Sequence, residues 1–354
     1  MALFHRRLCL EGPRNAWEWL LLLVLRPFGR LYGVVGLVRA KLYALGILPA
    51  YRAPVPVISV GNLSAGGTGK TPVVDYLVRR LLDQGLRVAV ISRGYGGQGV
   101  KNALVVSAGQ GPLVEPALCG DEPYLLARRN PEALVVVAPK RRLGAQLAVE
   151  QLGARILVLD DGFQHLAVQR DLDLVLLDAA SPLGNGRPLP AGLLREFPSA
   201  LQRGQLFVLT RWHEDCPPPP YLPGPVLRSR HVLGAEAMDL DGNRLALQQL
   251  CGKQAVAFAG IADPEGFFWD LRRRGFERLE ALPLADHVVY DNEVLRQLHA
   301  LGSRAEIFLT TEKDAVKLKA GQLPCPCWQV PMTLDFLETH ALDLALAQLT
   351  ARIH

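Results

Sequence analysis

Between Ser59 and Leu77 the chain reads SVGNLSAGGTGKTPVVDYL, one residue away from a phosphate-binding loop. The usual pattern is G-x-x-x-x-G-K-[ST], and the position of its first glycine, five before Gly69, is held by Ser64. The flanks favour a nucleotide site over an ordinary glycine-rich turn. VPVISV, Val55 to Val60, has the β-branched character of a buried parallel strand. After the loop, Val73, Val74, Leu77, Val78, Leu81 and Leu82 fall at helical spacing, and Gly85 sits where a helix would stop. The loop therefore joins a strand to a helix N-terminus, where free backbone N–H groups and the helix dipole favour an anion. Gly66, Gly67 and Gly69 let the backbone close round phosphates, Lys70 reaches the outer ones, and Thr71 is placed for magnesium.

The 354 residues, 49% of them hydrophobic, suffice for two domains, and a net charge of +5 is informative only where it concentrates. It concentrates at the start: residues 1–52 hold eight Arg or Lys against Glu11 and Glu18. Interleaved is an apolar stretch, Trp17 to Gly46, which Glu18, Arg26, Arg30 and Arg39 interrupt. No uncharged run there reaches the roughly 18 residues of a spanning helix, so the expectation is an amphipathic segment in the membrane interface. Trp17 and Trp19 would anchor it, with the arginines near anionic head groups. The competing reading is a helix packed on the protein core. Six cysteines lack metal-ligand spacing, which implies free, structural thiols.

Strand-like runs recur from Arg87, Leu134, Arg155, Asp173 and Leu206, several separated by helical stretches, as in a parallel sheet covered on both faces. Prolines 217–220, with Pro223 and Pro225, read as a linker, after which strand and helix signals resume from Ala255. The expected organisation is an N-terminal membrane-associating segment (1–45), a P-loop domain (46–215), a linker (216–228) and a smaller α/β domain (229–354) closing over the nucleotide. The fold class is α/β: a P-loop NTPase-like, mainly parallel sheet with helices on both faces, plus the second domain and the amphipathic helix. There is no internal repeat and no nucleic-acid motif.

Chemistry-bearing residues gather at strand ends. ILVLDDGFQH places Asp160 and Asp161 where a magnesium-holding acid belongs, unless they cap the next helix. Arg93, in SRGYGG, follows a strand on the ligand-facing edge. Asp121 and Glu122 precede an amphipathic stretch and are read equally well as helix caps. Arg187 and Arg195 lie in a long glycine- and proline-rich segment, Ser181 to Phe197, of the kind that often binds a ligand. Asp286 and His287 sit beside a turn, and TTEKDAVKL brings Lys313 and Asp314 to another strand end.

Together VISVGNLSAGGTGKTP, ISRGYGG, GDEPYLLA, LDDGFQH, GNGRPLPAGLLREF, FAGIADPEGFF, DHVVYD and LTTEKDAVKL resemble the tetraacyldisaccharide 4'-kinase family of lipid A biosynthesis, in the family's order over about residues 50–318. That family's loop also lacks the first glycine, so Ser64 conforms. The resemblance implies transfer of the ATP γ-phosphoryl group to the 4'-hydroxyl of a tetraacyl glucosamine disaccharide 1-phosphate, with ATP and Mg2+, at the cytoplasmic face of the bacterial inner membrane. It assigns Ser64, Ala65, Gly66, Gly67, Thr68, Gly69, Lys70, Thr71 and Lys313 to ATP, and Thr71, Glu122 and Asp160 to the metal. Asp121 and His287 become the catalytic pair, with Lys70 at the phosphates and Arg195 near the transferred phosphate or the sugar. Asn62, Arg93, Arg142, Asp161, Gln164 and Arg187 go to the glycolipid; Arg142 is the choice for the basic position in APKRRLGAQ. Leu193 and Phe197 depart from prolines common in the family. Two rivals are a membrane-associated P-loop ATPase switch, which would need a lysine where this chain has Ala65, and a soluble P-loop ligase or small-metabolite kinase, which leaves the apolar N-terminus unexplained.

Overall fold

The computed structural model describes residues 2–95, 97, 100–216 and 222–353. Two helices open the chain, α1 (Ala2–Glu11) and α2 (Ala16–Ala44). Strand and helix then alternate through β1 (Val57–Asn62), α3 (Lys70–Leu82), β2 (Val88–Ser92), β3 (Leu104–Ala108), α4 (Pro116–Cys119), α5 (Asp121–Arg129), β4 (Leu134–Val137) and α6 (Arg141–Glu150). Three strands, β5 (Ile156–Asp160), β6 (Leu172–Asp178) and β7 (Leu206–Thr210), lead to β8 (Val226–Leu233). The second lobe holds β9 (Glu236–Asp239), β10 (Arg244–Ala246), β11 (Ala255–Ala259), α7 (Pro264–Arg273), β12 (Leu279–Pro283), α8 (Asn292–Gly302), β13 (Ile307–Thr311), α9 (Glu312–Ala315) and β14 (Cys327–Val330). The chain closes with β15 (Met332–Phe336) and α10 (His340–Thr350).

Nine strands form one sheet in the order β15-β8-β7-β6-β1-β5-β2-β4-β3, and six form another in the order β10-β9-β14-β13-β11-β12. In the larger sheet the strands from β8 to β4 all run parallel, and only the edges β3 and β15 are antiparallel. Parallel central strands are buried on both faces, which is why β1, β2, β4, β5 and β7 read as unbroken buried runs rather than alternating ones. One face packs against α3, α5 and α10, the other against α6. β1 lies at the centre with β5 and β6 on either side, so its C-terminal end opens into the crevice where such sheets hold ligands.

The expected division at residue 229 is corrected by this topology. β8 joins the larger sheet beside β7, β15 returns from the second lobe to pair with β8, and α10 buries Leu342, Leu346 and Leu349 in the same core as α3. An ion pair between Arg80 of α3 and Asp343 of α10 fastens that return. The second lobe proper therefore spans β9 to β14. Of the expected linker, 217–221 lie outside the described residues, and Val226 to Arg228 belong to β8 rather than to a linker.

The Ser181–Phe197 segment does structural work as well. Leu183 and Leu194 are buried against Phe163 and the β6–β7 face, so it covers the sheet where no helix does. α2 lies on this cover. At Gly29 a Cβ would come within 2.9 Å of the Ala191 side chain, and at Gly33 within 2.6 Å of the Phe197 ring. The opposite face of α2 exposes Trp17, Leu20, Val24, Leu31, Val35 and Val38. By length and composition α2 would also suffice to cross a membrane. One seam on protein and one apolar face exposed combine both sequence readings.

Leu346→Ala is expected to cost about 2–5 kcal/mol of stability, the usual range for a buried leucine. Because α10 packs in the P-loop core, amide exchange should accelerate in α3 and not in α8; the reverse pattern would place α10 with the second lobe.

Candidate active site

The loop after β1 is held by its neighbours before it meets any ligand. Ala65 donates its N–H to the Leu193 carbonyl at 2.6 Å, and Asn62 Nδ2 donates to the Ser64 carbonyl at 2.7 Å. The loop entrance is thus pinned from the side by hydrogen bonds, so Ser64 serves where the general pattern has glycine. Further in, glycine is required. Gly66 and Gly69 have φ of 127° and 73°, and a Cβ on Gly67 would lie 2.3 Å from that of Ala262 in the second lobe. α3 then begins at Lys70 with no side-chain cap, which leaves its first N–H groups for an anion.

Beside the loop is a polar network. Lys70 Nζ donates to Asn62 Oδ1 at 3.1 Å and lies 3.4 Å from Asp161 Oδ1. Arg195 Nη1 reaches both Asp161 oxygens, at 3.0 and 2.9 Å, and Gln164 Oε1 at 3.2 Å. Gln164 Nε2 closes the ring on the Asn62 carbonyl at 2.9 Å. Burial works to raise the Asp161 carboxyl, but Lys70 and Arg195 outweigh it and hold it below the usual carboxylate range. Asp161 sits at φ 52° and His287 at φ 58°, left-handed conformations that Asp and His tolerate better than most residues. Backbone strain of this kind concentrates at functional sites. Neither acid of the pair caps a helix, since a turn follows β5.

Asp160 is almost fully buried and accepts a hydrogen bond from Ser92 Oγ at 2.9 Å. Burial first, then the charges of Glu122 and Asp161, push its carboxyl up to about 6. Such a group of acids favours a cation. Among the described residues no three His, Cys, Asp or Glu side chains form a ready-made metal cluster. Magnesium needs none, because it is commonly held by one or two carboxylates and the substrate phosphates.

Asp121 is the first residue of α5 and makes no side-chain cap bond, which removes the capping account. His287 approaches it across the cleft, with Nδ1 3.7 Å from Asp121 Oδ2. Lys313 Nζ stands 3.2 Å from Glu122 Oε1, 3.3 Å from Asp286 Oδ1 and 3.3 Å from His287 Nε2. The two lobes enclose a cleft of about 840 Å3 lined by Gly67 to Pro72, Glu122, Lys313, Phe267 and Trp269 among others. It is a volume suited to a nucleotide-sized ligand.

Two of the assigned arginines lie outside the Lys70 network. Arg142 is exposed on α6, whereas Arg141 is buried and donates to the Ala138 carbonyl at 2.9 Å and to the Asp160 carbonyl at 3.1 Å. Adjacent helical residues point about 100° apart, so only one of the two arginines can face the sheet. Arg187 carries its charge toward Cys9 of α1 and takes no part in the Lys70 network. Arg93 is exposed and close enough to Arg141 for their charges to act on one another.

The sequence reading passed over Arg211 and His231. Arg211 directly follows β7 at φ 55°, donates to the Gly67 carbonyl at 3.0 Å and pairs with Asp178 and Asp263. A basic residue just past a strand end was the signal used for Arg93, and it applies equally to LTRW. His231, on β8, puts Nε2 2.9 Å from where a Gly69 Cβ would be, and had no motif to flag it.

The family model described as Tetraacyldisaccharide-1-P 4'-kinase (LpxK) matches residues 21–351. The chain belongs to this family. It is 54% identical to the Tetraacyldisaccharide 4'-kinase of Syntrophotalea carbinolica, over 98% of this chain and 97% of that one. To the Geobacter sulfurreducens kinase of the same name it is 45% identical, over 97% and 96%. A crystal structure of LpxK from Aquifex aeolicus in complex with ATP superposes with a TM-score of 0.79 at 33% identity, covering 93% of this chain and 99% of that one. The α/β fold expected from the sequence is that of this kinase, and the switch-ATPase and ligase readings fall away.

His231 gives this fold an acid sensitivity. Burial, then Arg211, lowers the ring from 6.5 to about 4. A depressed value means that nothing is lost above pH ~6.5, and that stability falls as the pH drops from there toward 4, where the unfolded chain binds the proton first. His231→Gln should therefore flatten the decline of Tm between pH 6.5 and 4.5; an unchanged slope would show that the ring is protonated at no cost.

Proposed function

We infer that the chain is a lipid A 4'-kinase that uses ATP to phosphorylate the 4'-hydroxyl of a tetraacyl glucosamine disaccharide 1-phosphate. The observation that carries the mechanistic reading is the approach of Asp121 and His287 from opposite lobes, directly beside the P-loop cleft. Phosphoryl transfer requires charge neutralisation and in-line positioning more than covalent help from the protein. Lys70 and the free N–H groups at the start of α3 bind the phosphates, and Lys313 is the cation that the second lobe adds. Arg195 and Asp161, with Asn62 and Gln164, form the wall against which the sugar sits. Arg93, exposed at the same edge, suits the anionic substrate.

A neutral hydroxyl must also lose its proton. His287 takes it on Nε2 while Nδ1–H turns to Asp121, the O4' oxygen bonds to the γ-phosphorus, and the bond to the β–γ bridging oxygen breaks to release ADP. Lys313 must leave Nε2 for the ATP phosphates before this, since the Nε2 lone pair cannot take the sugar proton while it faces the Lys313 ammonium. General base assistance of this kind is worth about 10² to 10⁴ in rate. Thr71, Asp160 and Glu122 would hold the magnesium, whose charge offsets that of the triphosphate. The raised Asp160 carboxyl supports that choice, because a cation relieves its crowding by Glu122 and Asp161.

The glycolipid also accounts for α2, an N-terminal apolar helix compatible with membrane association. Its exposed face lies in the cytoplasmic leaflet of the inner membrane, keeping the acyl chains in the bilayer while the head group reaches the cleft. The second lobe closes over the nucleotide.

Lys70→Ala is expected to lower transfer of labelled phosphate from ATP to the glycolipid by well over tenfold with a much smaller effect on Tm, since Arg195 still pairs with Asp161 and Lys70 fills no apolar core. A loss below tenfold, about 1.4 kcal/mol of barrier, would remove Lys70 from the transfer step. Replacing Leu20, Val24, Leu31 and Val35 with serine should weaken sedimentation with vesicles of anionic phospholipid and leave phosphorylation of a detergent-dispersed substrate largely intact. Undiminished sedimentation would move the membrane contact elsewhere.

A further inference from the structure

Lys317 ends the same TTEKDAVKL segment as Lys313, yet it points to a different partner. Its Nζ lies 3.0 Å from Asp121 Oδ2, donates to the Val288 carbonyl at 3.2 Å and stands 3.9 Å from Asp314 Oδ1. The first two oxygens lie within hydrogen-bond reach of the ammonium, and the third is a longer ion-pair partner. The side chain is only 12% exposed, so the charge has not turned outward to water as a lysine ordinarily would.

Each of the three oxygens is fixed by a different part of the fold. Asp314 is fully buried, and its Oδ2 accepts from Gly260 N–H at 2.9 Å and Thr311 Oγ1 at 2.7 Å. Its Oδ1 has no hydrogen-bond partner, so Lys317 is the cation it faces. Val288 follows His287, whose own N–H is tied to the Gly260 carbonyl at 3.3 Å. Asp121 alone belongs to the larger sheet's lobe. Lys317 is thus a strut from the rigid floor of the second lobe to the carboxylate across the cleft, and it grips the backbone next to His287 on the way. His287 Nδ1 is meanwhile buried without a partner, 3.7 Å from the same Oδ2 that Lys317 holds.

We propose that Lys317 is the positioning residue of the Asp121–His287 pair: it holds the Asp121 carboxylate at a set distance from the imidazole, so that a small closure of the lobes completes the bond. This rests on the reading of Asp121 and His287 as the catalytic pair. The strut acts on the position of the base and not on the nucleotide, because neither Lys317 nor Asp314 lines the ATP cleft. The effect belongs in kcat and not in the KM for ATP. Misplacing a catalytic group by about 1 Å costs up to about a hundredfold.

The experiment compares Lys317→Met, Lys317→Arg, Asp121→Asn and the Lys317→Met/Asp121→Asn double variant in the full chain, with kcat, KM for ATP and Tm measured for each. Lys317→Met is expected to lower kcat by roughly 10- to 100-fold with KM for ATP within about twofold of wild type. Lys317→Arg, which keeps the charge but not the compact fit, should recover part of that loss. In the double variant the lysine change should add almost nothing to the Asp121→Asn loss, because both act through one carboxylate. The double variant also removes the stranded anion at Asp121, so it stays informative if Lys317→Met alone is too unstable to assay. Full activity of Lys317→Met, a matching rise in KM for ATP, or losses that multiply in the double variant would each overturn the proposal. Wild-type kcat in Asp121→Asn would instead overturn the catalytic pair itself, an outcome distinguishable from failure of the strut.

Discussion

Three ion pairs join α5 to the segment that begins with α9, and they tie the two lobes together beside the cleft. Asp121 meets Lys317, Glu122 meets Lys313, and Arg129 meets Glu312. Arg129 extends the set inward, bonding also to Asp75 of α3 at 3.1 Å and to the Met332 carbonyl at 3.0 Å. Partly buried charges are costly to desolvate, so such pairs are weak contributors to stability in themselves but strongly penalise any arrangement that leaves one partner alone. They specify how the two lobes face each other. They also line the cleft with charge, since Glu122, Arg129, Glu312 and Lys313 all border it.

The P-loop half of the site was legible because its signals are local. A buried strand, a glycine-rich turn and an amphipathic helix follow each other within Val55 to Leu82, and each predicts its neighbour. Strand-end positions such as Asp160 and Arg93 were legible for the same reason, since a hydrophobic run ending in a polar residue marks the ligand edge of a parallel sheet. The return of β15 and α10 to the first lobe had no such signal. Antiparallel pairing of β15 with β8, across the whole second lobe, depends on long-range register that neither segment states alone. A strand of alternating burial, as β15 is, reads the same on any edge. The choice between Arg141 and Arg142 had no local signal either: adjacent arginines at a helix start differ only in the face they occupy, and the face is set by packing. Lys317 was missed because Lys313, nearer the strand end, absorbed the chemistry that the segment suggested.

Acid and base are kept apart in this site by environment more than by residue type. Asp160 and Asp161 are neighbours in sequence with opposite behaviour. Asp160 points into the sheet, where burial and Glu122 raise it; Asp161, turned by its positive φ, faces Lys70 and Arg195, which lower it. An anion stabilised by two cations is a fixed wall, whereas a crowded, raised carboxylate is waiting for a cation. The single left-handed residue after β5 therefore separates a carboxylate crowded by other acids from one held by two cations.

The position of α2 links that network to the surface where a lipid would lie. Gly29, Gly33 and Gly36 fall along one seam of the helix, and the chain they rest on runs through Pro188, Ala191, Glu196 and Phe197, the flanks of Arg195. Small residues let the two backbones come close: the site for a Gly36 Cβ is 4.0 Å from the Arg195 carbonyl. The face of α2 that carries Leu31, Val35 and Val38 is thus only a helix diameter, about 10–12 Å, from the segment that presents Arg195 to Asp161. A head group whose acyl chains remain beside that face needs no extraction into water to reach the polar ring of Lys70, Asp161 and Arg195. α1 adds a contact at the far rim, where Arg6 donates to the Ala262 carbonyl at 3.2 Å, and Ala262 itself abuts Gly67 of the phosphate loop. The apolar N-terminal helices, the covering segment and the phosphate loop are consecutive layers of one packing arrangement, so the exposed apolar side of the protein and its phosphate-loop edge are set by the same small-residue contacts.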